Sequence, residues 1–269
     1  MGTDLTSGKE ATFKGGLRLL GFFGLVLAFV PSFLLIRRFR PQIVYSWPRF
    51  FHKILSQILG FKIVVRGQVS DKKPTVFVSN HSSYLDIPVL GSIIPGSFVA
   101  KSEVNSWPFF GFLSRLQDTV FIERRAVRAG LQGKILYDRL NKGDNLILFP
   151  EGTSSDGQHT LPFKSSLFGT LEKDLDGGRK VFVQPVSIVC TRVAGMPMGH
   201  LWRPYYAWYG DMTLVGHLWD VFKIGSFTAE VTFHEPVVMD DFGGDRKRLS
   251  HHCHKQVARG VSKSVAGRH

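Results

Sequence analysis

His81 and Asp86 stand close together in Val78-Ser-Asn-His-Ser-Ser-Tyr-Leu-Asp86. A neutral imidazole takes a proton from a hydroxyl, and a carboxylate beside it holds the tautomer and stabilises the imidazolium that forms. On one continuous helix the two side chains would diverge by about 140°, at roughly 100° per residue, so a loop is needed to bring them together. Pro88 suits the first turn of a helix. The spacing therefore predicts His81 in a strand-to-helix loop and Asp86 at or near the helix start. The bland alternative leaves Asp86 as a helix cap and His81 as a satisfied loop histidine. Ser82 and Ser83 lack the G-x-S-x-G setting of a serine nucleophile and are expected to bond backbone groups in the turn.

The elements that must position these residues read as α/β. Short apolar runs alternate with longer helical patterns from Phe61 onward. Strands are expected at Ile63–Arg66, Thr75–Ser79, Ser97–Ala100, Thr119–Ile122, Asn145–Phe149, Val181–Val189 and Ala229–Phe233. Helices are expected at Ile87–Ile94, Pro108–Arg115, Val127–Asn141, Phe163–Asp174 and near Lys247–Lys263. Asn141-Lys-Gly-Asp144 and Asp176-Gly-Gly-Arg179 stop a helix and turn the chain into a strand. No internal repeat or long linker is present. The organisation expected is a membrane and interfacial segment over 1–60, one catalytic domain over 61–240 and a basic helix or tail over 241–269.

Composition narrows the partners. Lys and Arg number 34 against 21 Asp and Glu, a formal charge of +13, which points to anionic partners: membrane lipid, nucleic acid or an acidic carrier protein. Two cysteines, Cys190 and Cys253, make neither a disulfide framework nor a metal-ligand spacing. His251, His252 and His254 crowd beside Cys253, but adjacent helical residues point in different directions, so a basic solvated face is expected there and no metal.

Leu19 to Ile36 is uncharged and mostly apolar, flanked by Lys14 and Arg18 before and by Arg37, Arg38 and Arg40 after. As a helix it reaches about 27 Å, barely a bilayer core. The run exits into arginines and not into a small-residue cleavage site, so membrane insertion is expected over a signal peptide or a core helix. Whether it spans or only dips stays open, since Pro31 can kink it. Ile43 to Phe61 interleaves apolar, aromatic and cationic residues, which suits an interfacial helix or one packed on the domain. Arg37, Arg38, Arg40, Arg49 and Lys53 outweigh Lys9, Lys14 and Arg18, so everything after Ile36 is expected to face the cytoplasm.

A second motif joins the first. Phe149-Pro-Glu-Gly-Thr153 ends another apolar run, where a tight turn is the plain alternative. H-x-x-x-x-D after one such run and F-P-E-G-T after another resemble the glycerolipid acyltransferase family, over about Gly60 to Val238. The resemblance implies a mixed sheet flanked by helices and direct acyl transfer, with His81 as general base and Asp86 steadying it. In Ala100-Lys-Ser-Glu103, which resembles the family's A-K-x-E, it places the thioester oxyanion near Lys101. Phe121-Ile-Glu-Arg124 resembles F-I-D-R and gives Arg124 to the acceptor's phosphate. Glu151, Gly152 and Thr153 shape the acceptor site, with Glu151 on its hydroxyls. Gln184-Pro-Val-Ser187 resembles V-P-V, which lines the acyl side, though a plain buried strand explains it as well.

One departure matters. Phosphate-acceptor enzymes of the family often follow F-P-E-G-T with a basic residue, whereas Ser154-Ser-Asp-Gly157 stands here. Together with Leu161-Pro-Phe-Lys164 this resembles the branch that acylates lyso-ornithine lipids. Its acceptor carries a hydroxyl on a fatty acyl chain and an ammonium suited to Asp156, so Ser154 and Asp156 are the candidate selectivity residues. The expected function is a membrane-bound O-acyltransferase on a lysolipid, either lyso-ornithine lipid or 1-acyl-sn-glycerol-3-phosphate. The donor is acyl carrier protein or coenzyme A thioester, with no other cofactor and no nucleic acid. The alternatives are a hydrolase built on the same pair, and a non-catalytic membrane-binding protein.

Overall fold

The computed structural model describes residues 5–39, 46–123 and 129–267. Its centre is a sheet in the order β1 (Phe61–Arg66), β8 (Phe227–Phe233), β6 (Phe182–Val193), β2 (Thr75–Ser79), β5 (Leu146–Leu148), β3 (Ser97–Lys101) and β4 (Val120–Ile122). Two short strands, β7 (Met196–Pro197) and β9 (Val237–Val238), also pair with β6. From β6 to β4 neighbouring strands are parallel, while β8 runs antiparallel to β6 and parallel to β1. The sheet is therefore mixed. All five residues of β2 are buried, as a strand covered on both faces requires.

Parallel strands end on one edge, so the segments after β2, β5, β3 and β4 gather there. Val78 pairs with Leu148, and three residues beyond each lie His81 and Glu151. Two motifs seventy residues apart in sequence thus leave the sheet side by side.

One sheet face carries Phe77, Ile147, Val186, Ile188, Ala229 and Val231 against α3 (Asp86–Ile93). The opposite face carries Val76, Val78, Leu146, Leu148 and Val183 against a 3-10 helix, Ser165–Glu172, and α8 (Arg246–Val265). Alternation of side chains across the pleat produces both sets from the same strands.

The N-terminal elements dock on this body. α1 (Lys9–Phe39) continues through Pro31, and α2 (Trp47–Ile58) follows the segment 40–45. α1 buries Phe22, Val26, Phe29 and Phe33, spaced so as to share a face, in one cluster with Phe51 of α2 and with Val221 and Phe222 of α7 (Leu214–Ile224). Arg18 donates to the carbonyls of Phe222 (2.9 Å) and Gly225 (3.1 Å), groups that the end of α7 leaves without helical partners. The other side of α1 is also apolar, and Phe13, Leu17, Leu20, Phe23, Leu27, Leu34 and Leu35 are exposed. α1 is neither an enclosed core helix nor a helix free of the domain.

α2 buries Phe51, His52 and Ser56, and the His52 ring occupies the notch that Gly91 leaves in α3, where a Cβ would collide with it. Of the two settings open for the Ile43–Phe61 stripe, packing on the domain accounts for these residues, while Phe50 and Lys53 remain exposed.

Other departures from the expected elements have local causes. Phe163–Asp174 is a 3-10 helix over Ser165–Glu172 and not an α-helix, because Phe168 and Leu171 must both face the core and a three-residue turn aligns them. β6 runs to Val193, four residues past the expected end, because β8 pairs with it along that extension. α7 had no counterpart in the expected elements, its run of apolar residues being interrupted by Gly216 and His217. α4 (Ser102–Asn105), α5 (Phe110–Leu116) and α6 (Ala129–Asn141) complete the helices described.

Candidate active site

Asp86 is the first residue of α3 and is fully buried. Its Oδ2 accepts from the backbone N–H groups of Ser82 (2.8 Å) and Ser83 (3.0 Å), which the strand-to-helix loop turns inward. The same oxygen lies 2.9 Å from His81 Nδ1, and Oδ1 accepts from the Tyr206 hydroxyl at 2.7 Å. A buried carboxylate is tolerable only when hydrogen-bonded, and this one is satisfied on both oxygens. Since Asp86 only accepts here, Nδ1 carries the imidazole proton and Nε2 presents its lone pair. The His81 side chain is 21% exposed, enough for a substrate to reach.

The ring itself is fixed from the other motif. Phe149 stacks on His81 at 4.1 Å between centroids and 19° between planes, and Phe98 stacks behind Phe149 at 6.2 Å. Beyond Phe149 the chain turns at Gly152 (φ +69°), a conformation that disfavours a side chain, and any Cβ there would press on the Lys164 ammonium. Ser155 then returns to donate its backbone N–H to the His81 carbonyl at 2.9 Å. The two motif loops are thus one structure.

Glu151 is 2% exposed, and neither carboxylate oxygen has a hydrogen bond within normal geometry among the described residues. Burial pushes its carboxyl up to about 8. The backbone N–H groups of Leu161 and His81 offset part of that rise, and the charge of Asp86 adds to it.

A third segment, absent from the sequence expectations, straps both loops. Arg203 donates to the Gly157 carbonyl (2.8 Å), Tyr206 to Asp86, and the Trp208 backbone N–H to the Ser82 carbonyl (2.8 Å). Tyr84, inside the first motif, bonds His217 of α7 at 2.7 Å. Burial and the charge of Asp86 push the Tyr206 hydroxyl well above its ordinary value, so it stays a donor. The sole sequence signal was the run Leu201-Trp-Arg-Pro-Tyr-Tyr-Ala-Trp208, rich in aromatics yet part of no expected element. Asn80 is a further residue without a signal in the sequence: its amide exchanges two bonds with Ile188, pinning the end of β2 to β6.

Of the other expected residues, Lys101 closes β3 opposite Ile122 on the same sheet edge and is half-buried. Arg124, two residues past Ile122, lies outside the described residues. Thr153 is exposed, while Ser154 and Asp156 are half-buried, with Asp156 Oδ1 accepting from the Gln158 backbone at 2.9 Å. Ser83 Oγ accepts from the Leu85 backbone, a turn-forming bond as expected, whereas the Ser82 hydroxyl turns to Asp86 Oδ1 at 3.5 Å and not to a backbone group. Gln184 is enclosed in the sheet, bonding Ser70, Gln68 and His234 backbone groups, which is the buried-strand reading of that segment. No group of three or more His, Cys, Asp or Glu arranged to hold a metal occurs among the described residues, and Cys253 faces the core.

Residues 62–189 match the family model described as Acyltransferase, a span that contains both motifs. The fold is that of the crystal structure of the 1-acyl-sn-glycerophosphate acyltransferase from Thermotoga maritima, with a TM-score of 0.66 at 24% identity over 94% of this chain and 97% of that one. Among curated proteins, the lyso-ornithine lipid O-acyltransferase of Brucella abortus (strain 2308) is 40% identical over 260 residues, 96% of this chain and 97% of its own length. That of Rhizobium meliloti (strain 1021) is 40% identical over 82% of this chain and 76% of its own length. A 1-acyl-sn-glycerol-3-phosphate acyltransferase of Neisseria gonorrhoeae is 34% identical over 58% of this chain and 57% of its own length. Identity of this degree along nearly the whole length of both proteins goes well past a shared fold, and the chain belongs to the acyltransferase family.

Proposed function

We propose that this protein transfers an acyl chain from an acyl thioester to the hydroxyl of a lyso-ornithine lipid at a membrane surface. The observation that carries the chemistry is the 2.9 Å contact between His81 Nδ1 and a fully buried Asp86, which leaves Nε2 as a free base on an accessible ring. Nε2 takes the proton of the acceptor hydroxyl as its oxygen attacks the thioester carbonyl. A C–O bond forms, the carbonyl becomes an oxyanion near Lys101, and on its collapse the C–S bond breaks. The departing thiolate takes from the imidazolium the proton that came from the acceptor hydroxyl, so His81 ends as it began and no acyl-enzyme is formed. General-base assistance of this kind contributes about 10²–10⁴ in rate.

Glu151, Gly152 and Thr153 hold the acceptor, and the family resemblance assigns Arg124 to the same task. With its carboxyl raised to about 8 by burial, Glu151 is protonated near neutrality and donates a hydrogen bond to an acceptor oxygen. Two observations favour the lyso-ornithine acceptor: the relatives matched along most of the chain carry that name, and Ser154-Ser-Asp156 puts an acid where a phosphate would need a cation. The exposed apolar side of α1 sits in the bilayer, and the arginines of its last turn and beyond keep the catalytic domain on the cytoplasmic side.

The test is incubation of the purified protein with radiolabelled acyl thioester, with and without lyso-ornithine lipid or 1-acyl-sn-glycerol-3-phosphate. Label should enter lipid only when the lyso-ornithine acceptor is present. Release of free fatty acid at equal rate without any acceptor would mean a hydrolase.

A further inference from the structure

Arg203 is half-buried against the loop that follows Phe149-Pro-Glu-Gly-Thr153, with its Nη1 bonded to the Gly157 carbonyl at 2.8 Å. It forms no ion pair among the described residues, and a guanidinium carries more donors than that one bond uses. Asp156 lines the same crevice, together with Ser82, Gly157 and Tyr206; at about 10 Å³ it has room for one water, so any larger group meets the half-buried Arg203 and Asp156 at its mouth. One Asp156 oxygen is tied to the Gln158 backbone, and the other has no hydrogen bond among the described residues. Burial lowers the affinity of Arg203 for its proton while the charge of Asp156 raises it. The two groups therefore feel each other without touching. Separate backbone anchors hold a cation and an anion apart, at a cleft whose Tyr206 donates to Asp86 of the proposed catalytic pair.

We propose that Arg203 and Asp156 form a two-pole subsite for a zwitterionic headgroup, the guanidinium taking its carboxylate and the carboxylate taking its ammonium. An ornithine acylated on its α-nitrogen keeps one carboxylate and one side-chain ammonium, which matches these two charges. The guanidinium fork is shaped for a carboxylate. A phosphate monoester gains from Arg203 but is repelled by Asp156, so the pair as a whole rejects it. This inference rests on the lyso-ornithine acceptor proposed above and adds to it the residues that read the headgroup.

Acceptor analogues test it without altering the protein. The methyl ester of lyso-ornithine lipid lacks the carboxylate, and the derivative acetylated on the side-chain nitrogen lacks the ammonium. Each should lower kcat/KM of the wild-type enzyme by about 10- to 100-fold, the usual range for lost bonds to charged groups. Asp156→Asn, which keeps an oxygen for the Gln158 N–H, should be indifferent to acetylation, and Arg203→Gln indifferent to esterification. Wild-type enzyme that uses both analogues as well as the parent overturns the subsite and leaves the lyso-ornithine reading standing. The subsite is equally overturned if Arg203→Gln penalises the ester as heavily as the wild type does, since the arginine then only braces the loop. Wild-type enzyme that acylates 1-acyl-sn-glycerol-3-phosphate and ignores lyso-ornithine lipid overturns the acceptor reading itself, and the subsite with it.

Discussion

His81 meets Asp86 across a loop whose Ser82 and Ser83 N–H groups hold the carboxylate that sets the imidazole tautomer. Exchange of His81 for Ala deletes the proposed proton acceptor and should abolish transfer while the protein stays folded, checked by radiolabelled thioester assay beside thermal unfolding. Asp86→Asn places an amide where the Ser82, Ser83 and His81 N–H groups all need an acceptor, and should cost on the order of 10⁴ in kcat, as wrong-tautomer variants of Ser-His-Asp triads do. Tyr206→Phe removes one donor of several and should cost far less, on the order of tenfold. Undiminished turnover in His81→Ala would remove the mechanism.

Glu151 gives a test by pH. Its folded-state carboxyl is raised to about 8 from the ordinary 4.5, so the folded chain keeps a proton that the unfolded chain has released between those values. Stability from this residue is full below the lower value and is lost as pH rises through the window, by at most about 1.4 kcal/mol per unit. Glu151→Gln stays neutral throughout. Its Tm relative to wild type should climb from pH 5 to about 8 and then level off, and a flat difference would show an ionised Glu151.

At the scale of the element, α1 has one apolar face packed on the body and another left exposed. Phe33 is fully buried against the body, so Phe33→Ala should destabilise by about 3–5 kcal/mol in denaturant unfolding. Leu20 and Leu27 are 70% and 77% exposed, and Leu20→Lys with Leu27→Lys should leave stability nearly unchanged while weakening flotation with phospholipid vesicles. Equal flotation of that double variant and the wild type would show that this face does not enter lipid. Deletion of residues 1–40 is the blunter experiment. It uncovers Phe51 and Phe222, so the truncated protein should still associate with membranes in part.

The whole molecule carries +13, and part of that charge is ordered. α8 places Lys247, His251, Lys255, Arg259 and Lys263 at four-residue intervals with no acidic residue from Arg246 to Val265. A row at that spacing follows one side of a helix. Attraction between such a surface and an acidic donor acts through encounter, so kcat/KM should fall as salt rises from 20 to about 300 mM while kcat holds. Initial rates across a salt series with acyl carrier protein and coenzyme A thioesters check this, and a salt-independent kcat/KM would leave the charge to the membrane alone.

Much of this protein was legible in the chain. The loop that brings His81 to Asp86, the turn at F-P-E-G-T, most of the strands and the apolar N-terminal helix follow from local rules, whereas the role of the pair came from the family resemblance. A side-chain period, a proline at a helix start and a glycine at a turn act over a few residues, and the sequence displays them directly. Tertiary structure alone decided the rest. Tyr206 meets Asp86 across 120 residues, Arg203 reaches Gly157 across 46, and Arg18 caps α7 across more than 200. Such contacts depend on which strand edges and helix ends the topology brings together, and no local pattern encodes them. The same holds for α1, whose all-round hydrophobicity describes a membrane helix and a docked helix equally well. Only the packing of Phe22, Val26, Phe29 and Phe33 onto α2 and α7 separated the side that binds protein from the side left exposed.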